Sequence, residues 1–545
     1  MARVFNLLIV IFEIIALFKV KKTDLKKSLI YYTRISNLLA FFSSLLLVIL
    51  GPKGFVEVFR FLSVSMLAMT FFVTVFILVP MSRNVKGLLF SGSGFFHHLL
   101  VPILSVLSYM TVEDRASLIW IWLPAAVTLI YGLTMLYLNA KEKVDGPYPF
   151  FRIKAQGVKK TVLWMVALMM AVSIMAYGLG YRKAAQTDIK YIFVHGLSGW
   201  GSYDFVNEFI PYWGLTGGSI TRYLNDQGYE SYAASVNPTG SAWDRACELY
   251  AQLSGSRVDY GEAHSRAAGH ERYGEDFSGR ALMEDFASSR FALIGHSFGG
   301  ATVRLFSEIL RNGDAAERAA TEESGLSPFF KGGNGDKLVA LVTLAAPTNG
   351  TTAYDLYEDE SFDLSSVKIP AEYEKNSGAV SKATKAVQDG RAAYDYAAFD
   401  MHIDNALALN ERISTFEDVL YLAYPASSTM KKEDGSVYPD PSITENMFLK
   451  GAVYMSSYTG ATKGGFELDA SWQDNDGLVN TISAGAPFNA PQVRYEDDPV
   501  LKPGHWTVMP LFKGDHMSVI GGFTKRTKMK PFYLEMVKMI AEAAQ

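Results

Sequence analysis

Six long apolar runs follow one another in the first third of the chain, at residues 4–20, 36–51, 61–81, 95–112, 117–139 and 161–180. They run from 16 to 23 residues, close to the ~17–25 that carry a helix across a hydrocarbon core of ~30 Å. Helices satisfy their own backbone in lipid, so the pattern predicts a six-helix transmembrane bundle over residues 1–183. The first run does not read as a good cleavable signal peptide: it contains Glu13, ends in a basic cluster, and no small-x-small site follows. After Tyr181 the pattern changes. Tyr191–Val194, Phe291–Ile294 and Leu338–Leu344 are short, mostly apolar runs that end in turns, and Ala301–Leu310 has helical spacing. Strands alternating with helices predict an α/β domain with a mostly parallel sheet over residues 184–545.

Composition narrows the class. Of 545 residues, 49% are hydrophobic and 19% charged, which excludes a disordered chain, and the single Cys247 excludes a disulfide scaffold. Residues 1–183 hold 20 Lys and Arg against 7 Asp and Glu, whereas residues 184–545 hold 31 against 48. That split speaks for two environments, not for nucleic-acid binding, and no protein partner is indicated. Loops one, three and five carry most of the lysines and arginines, Lys19, Lys21, Lys22, Lys26 and Lys27, then Arg83 and Lys86, then Lys141, Lys143, Arg152, Lys154, Lys159 and Lys160, whereas loops two and four hold only Lys53, Arg60 and Arg115. The positive-inside rule puts these loops in the cytoplasm. The expected location is thus the cell membrane, multi-pass, with the second domain extracellular.

Gly295-His296-Ser297-Phe298-Gly299 lies between a strand and a helix, the context of a nucleophile elbow. Glycines flank the serine because the turn leaves no room for side chains. A serine hydroxyl needs a base, and the base an orienting acid, in the chain order Ser, Asp, His. His516, just before the last helix, is the expected base, with His505 as rival. Asp476, in Asn475-Asp476-Gly477, is the expected acid, with Asp474 and Asp515 as alternatives. The backbone N–H groups of Leu197 and Phe298 are the expected oxyanion donors. A second constellation is Asp244 followed by His264 and His270. Two imidazoles and an upstream acid suit zinc, with a fourth ligand from elsewhere, and Asp400, His402 and Asp404 cluster further on. Solvated histidines beside a charged loop would give the same spacing.

Several longer motifs stand in order: His195–Gly201, Trp243–Tyr250, Val258–His264, His270–Gly274, Gly295–Gly300, Thr343–Thr352, Asn475–Gly477 and Asp515-His516. In these the second domain resembles the zinc-containing lipases of Gram-positive bacteria, the staphylococcal and thermophilic-bacillus group of the α/β-hydrolases. The resemblance implies a Ser297–Asp476–His516 triad and structural zinc held by Asp244, His264, His270 and Asp404. Positions that carry calcium ligands in relatives hold Ser518 and Phe523, which speaks against calcium. The first domain resembles the androgen-induced, FAR-17a-type multispan family in Tyr31–Asn37, in His98 to Pro102 and in Tyr148–Phe151. That resemblance implies a membrane site of Thr33 and His98.

These readings converge on a membrane-anchored, outward-facing lipase or carboxylesterase acting on lipid esters, with the bilayer as its setting. The segment after Thr352, to about Arg412, has the amphipathic pattern of a lid. Acyl transfer by the same triad, or a non-catalytic anchor or receptor with a decayed hydrolase fold, are the alternatives.

Overall fold

The computed structural model describes the chain except residues 1, 20–29, 52–53, 114, 117, 146–147, 182, 284, 360, 370–391 and 523–528. Lys21, Lys22, Lys26, Lys27, the centre of the expected lid and Phe523 therefore lie outside the described residues. Two compact units are present, Met1–Arg182 and Lys183–Gln545.

The main helices described in the first unit are α1 (Ala2–Phe18), α2 (Tyr32–Leu50), α3 (Gly54–Phe72), α4 (Val101–Thr111), α5 (Leu123–Ala140) and α6 (Val158–Gly180). Among the described residues, four helical stretches are long and apolar enough to cross a membrane: Tyr32–Leu50, Phe55–Ser82, Leu123–Ala140 and Val158–Gly180. The other two expected crossings are shorter, the 17 residues of α1 and the apolar helix Phe96–Thr111. Pro80 and Pro102 each follow a π-helical stretch, Val73–Leu78 and Phe96–Leu100. Proline lacks an N–H and its ring presses on the carbonyl four residues back, and the widened turn absorbs the misfit.

Charges are buried between these helices. Arg60 grips Glu113 through Nε and Nη2, both at 2.9 Å, and Asn6 Nδ2 and Ser108 Oγ donate to the same carboxylate at 2.8 and 2.6 Å. Elsewhere His97 Nε2 lies 3.4 Å from Glu13 and 3.5 Å from Arg34 Nη1. Such groups are costly in an apolar setting unless paired. Arg60→Met should therefore destabilise the unit by about 3–5 kcal/mol by stranding Glu113. Adding Glu113→Leu should recover part of the loss. Thermal melting of detergent-solubilised protein measures both.

The second unit is built on a seven-stranded parallel sheet. Its strands are β1 (Lys190–Val194), β2 (Ser231–Ala234), β3 (Phe291–His296), β4 (Leu338–Leu344), β5 (Leu420–Tyr424), β6 (Gln492–Arg494) and β7 (Trp506–Val508). They lie in the order β6-β7-β5-β4-β3-β1-β2. Both faces are covered, which is why the central strands read as unbroken apolar runs. Phe291 and Leu293 point into one core with helices α7 (Ala242–Ser254) and α8 (Gly299–Asn312). Ala292 and Ile294 point into the other, against helix α9 (Met529–Ala543). Because every strand runs the same way, the turns after β1, β3 and β5 gather at one edge, where ligands of open α/β sheets bind.

Candidate active site and metal cluster

β3 ends at His296 and α8 starts at Gly299, so Ser297 sits in an abrupt reversal. Its φ is +55°, a conformation few L residues adopt. The surroundings force it. A Cβ on Gly295 would lie 2.4 Å from the Gly299 carbonyl, and one on Gly299 would lie 2.3 Å from that of Val194. One on Gly196 would lie 2.6 Å from Ser297 Cβ. Ser297 N–H donates to Leu344 O at 2.9 Å, tying the turn to the end of β4.

His516 Nδ1 is 2.8 Å from Asp476 Oδ2, and His516 N–H donates to Asp476 O at 2.9 Å. Asp476 Oδ1 accepts from the amides of Leu478 and Val479 at 3.0 and 2.8 Å, so this buried carboxylate is fixed and must accept the ring proton. The rivals are engaged elsewhere. Asp474 accepts from Ser427 and Thr429. Asp515 accepts from Glu445 N–H at 2.5 Å and Ser518 Oγ at 2.7 Å; burial pushes its carboxyl upward, opposed by those bonds. His505 lies in the turn entering β7, at the opposite end of the parallel sheet from Ser297.

His296 links these parts, a role the sequence pattern did not single out. Its Nε2 lies 3.0 Å from His516 O and its Nδ1 2.7 Å from Tyr212 OH, while Tyr212 OH accepts from Gly196 N–H at 3.0 Å. A carbonyl can only accept, so Nε2 carries the proton and Tyr212 donates to Nδ1. Burial, then the neighbouring His516, pushes His296 well below the ordinary imidazole range, so it stays neutral. Its ring centroid is 4.8 Å from that of His516, which brings the serine turn and the histidine loop together.

The expected oxyanion donors lie on either side of this turn. Among the described residues, neither the Leu197 nor the Phe298 amide donates a hydrogen bond to the protein. Arg245, fully buried on α7, joins their supports. It donates to His195 O, to Asn237 O at 3.0 Å and to Thr302 Oγ1 at 2.9 Å, and its guanidinium lies 5.1 Å from the Phe298 ring centroid. Burial lowers it to about 10, so it remains charged at neutral pH.

Asp244, next to Arg245 in the chain, belongs to a separate cluster. Ligand atoms of Asp244, His264, His270 and Asp395 lie within 4.8 Å of one another. His264 Nε2 is 3.2 Å from Asp244 and 3.3 Å from Asp395; His270 Nε2 is 3.7 and 3.4 Å from the same two carboxylates. His270 Nδ1 lies 2.8 Å from Glu271 O, the second bond that orients a metal-binding imidazole. Burial acts to lower His264, but the two carboxylates outweigh it and raise it to about 9. Two imidazoles and two carboxylates converging this closely suit a divalent ion, which would replace that proton.

Asp404 is not in the cluster, contrary to expectation. Its oxygens accept from Thr462 Oγ1 at 2.5 Å and Gly464 N–H at 2.6 Å. Asp395 takes the place instead. Ala392 N–H donates to Ala268 O at 2.8 Å and Ser241 Oγ to Asp395 at 2.7 Å, which docks the segment onto the histidine loop. Asp400 caps α7 by accepting from Ala242 N–H at 2.7 Å, and His402 Nδ1 lies 3.5 Å from Asp355. In the first unit Thr33 Oγ1 pairs with Tyr148 OH at 3.3 Å and His98 Nδ1 with Leu88 O at 2.8 Å; the two expected membrane-site residues share no hydrogen bond.

The family model described as "Lipase-like, C-terminal domain" matches residues 187–368 and 374–543. The chain belongs to this family. It is 32% identical over 365 residues to a lipase of Staphylococcus hyicus, covering 62% of this chain and 54% of that protein. It is 33% identical over 373 residues to a lipase of Staphylococcus epidermidis, covering 64% and 52%. The chain therefore spans about half the length of these curated relatives. Among solved structures it is similar to EstA from Clostridium botulinum, with 27% identity, 68% of this chain and 91% of that one covered, and a TM-score of 0.56. It is also similar to Staphylococcus hyicus lipase, with 29% identity, 67% and 98% covered, and a TM-score of 0.55. A lipase-like fold with a mostly parallel sheet is thus in hand, beside four apolar helices of spanning length.

Two outcomes follow from this geometry. Arg245→Lys keeps the charge but loses the planar fork, so kcat on an ester should fall about 10- to 100-fold with KM little changed. Steady-state kinetics of variant and parent give the split. Metal analysis should return one divalent ion per chain. Asp395→Asn should remove it and lower the melting temperature by at least about 5 °C, whereas Asp404→Asn should retain it.

Proposed function

We propose that the protein is a membrane-anchored lipase or carboxylesterase. The observation that carries this reading is Ser297 held at φ +55° directly after His296, whose ring lies 4.8 Å from that of His516, itself in a 2.8 Å pair with Asp476. In the proposed reaction Ser297 Oγ attacks the ester carbonyl as His516 Nε2 takes its proton. Asp476 keeps Nδ1 protonated and stabilises the imidazolium. The Leu197 and Phe298 N–H groups receive the developing oxyanion. His516 then protonates the leaving alcohol, and water, with His516 as base, cleaves the acyl-enzyme.

Asp244, His264, His270 and Asp395 are proposed to hold zinc. With four protein ligands it would cross-link α7 to the segments around 264–270 and 395, and supply no nucleophile. In the same reading the first unit crosses the bilayer six times, the two shorter helices included. The basic loops then face the cytoplasm and the hydrolase faces outward. Tethering at a membrane raises the effective concentration of lipid esters.

Ser297→Ala should abolish hydrolysis of p-nitrophenyl esters while melting remains as in the parent. Asp476→Asn should cost about 10⁴-fold in kcat, as expected when the imidazole is held in the wrong tautomer. Thr33→Ala should leave the rate unchanged. Surviving activity in Ser297→Ala, or its loss in Thr33→Ala, would move the chemistry elsewhere.

A further inference from the structure

α8 carries a second buried arginine, Arg304, whose surroundings differ from those of Arg245. Its side chain is 3% exposed, yet no carboxylate faces it. Its hydrogen bond is one long contact, Nη1 to Thr348 O at 3.4 Å, and that carbonyl already accepts from Asn410 Nδ2 at 3.0 Å. The acids in the neighbourhood are committed to other groups. Glu308 accepts from Ser414 N–H at 2.8 Å and Asn312 Nδ2 at 2.6 Å. Glu411 accepts from Asn489 Nδ2 at 3.3 Å, and Asp418 pairs with Arg311 at 2.7 Å. Burial lowers the Arg304 guanidinium only to about 10, so it is a cation at neutral pH.

This cation lines a pocket of about 210 Å³. Buried Ser307, Tyr421 and Trp506 share its inner wall, and the less buried Thr415 and Asn489 stand at its outer side. The Trp506 ring centroid lies 5.8 Å from the guanidinium carbon, which leaves the charge without an anion. None of Ser297, Asp476 and His516 lines the pocket.

We propose that this pocket is a binding site for a small oxyanion, a carboxylate or a phosphate, held on the Arg304 guanidinium. A buried charge is tolerated when an opposite charge meets it, and among the described residues no carboxylate does. The planar fork of arginine matches two oxygens of a carboxylate or phosphate at once. A cation would be repelled, and an apolar ligand would deepen the burial without neutralising it. The Thr415 hydroxyl suits a remaining oxygen. The bound anion would tie α8, which begins at the serine turn, to β5, β7 and the two outer loops. The site does not depend on the hydrolase reading.

Equilibrium dialysis of the full-length protein in detergent, with labelled inorganic phosphate and separately with labelled butyrate, tests it. Saturable binding of at least one of them, at one per chain and in competition with the other if both bind, is expected. Phosphate bound in preference identifies a free or esterified phosphate as the occupant; butyrate bound in preference identifies a carboxylic acid. Arg304→Met should abolish binding. Asn489→Glu, at an exposed position, brings a competing carboxylate to the mouth and should weaken binding at least about tenfold in the variant that melts as a folded protein. No saturable binding of either anion to the parent protein, or binding undiminished in the folded Asn489→Glu variant, would overturn the proposal.

Discussion

The backbone around residue 297 is packed so closely that Gly196, Gly295 and Gly299 have no space for a Cβ, and the centre of the second unit is organised by that crowding. β1, β3 and β4 must end side by side for the contacts to exist, and their parallel register brings Val194 opposite Gly295 and His296 opposite Leu344. A non-glycine residue at positive φ costs about 1–3 kcal/mol and persists only where its surroundings over-determine it. Here the Leu344 carbonyl, the start of α8 and the neighbouring strand ends do so. The same strain lifts one hydroxyl out of the sheet, where a histidine from another loop can meet it.

Three buried arginines show three ways of placing a cation inside a protein. Arg60 is neutralised directly by Glu113. Arg245 distributes its donors over backbone carbonyls and Thr302, and its charge becomes a brace between the turn at 195–197 and the helix after Ser297. Arg304 has a pocket in place of a partner. Desolvation is costly for all three, so each position needs a compensating arrangement, and each arrangement joins segments far apart in the chain.

Sequence patterns were most informative where the physical constraint is local. The elbow could be read because glycines flank one serine within five residues, although only the Gly295–Gly299 clash is local and Gly299 also clears the distant Val194 carbonyl. The buried strands could be read because a sheet covered on both faces needs unbroken apolar runs. Asp476 could be preferred from its turn, but its rivals were set aside only by the bonds that Asp474 and Asp515 make with Ser427 and Ser518. The metal cluster was legible for Asp244, His264 and His270. It was not legible for its fourth member: Asp404 satisfies itself with Thr462 and Gly464, while docking of the chain onto Ala268 delivers Asp395. No pattern around Asp395 distinguishes it from other acidic residues. Tyr212, His296 and Arg245 were likewise invisible, since their roles lie in contacts and not in spacing.

The linear chain by itself determined the two-part character of the protein. Apolar length and charge balance separate the first third from the rest, and the motif at 295–299 specifies a strand-to-helix kink, because hydrophobic burial and backbone clash act over neighbouring residues. The fold alone decided which acid meets His516, which carboxylate joins the two histidines, and which arginine is left facing a pocket. Those outcomes depend on how loops separated by tens or hundreds of residues dock, and docking is settled by hydrogen bonds and packing that form only once the sheet is assembled.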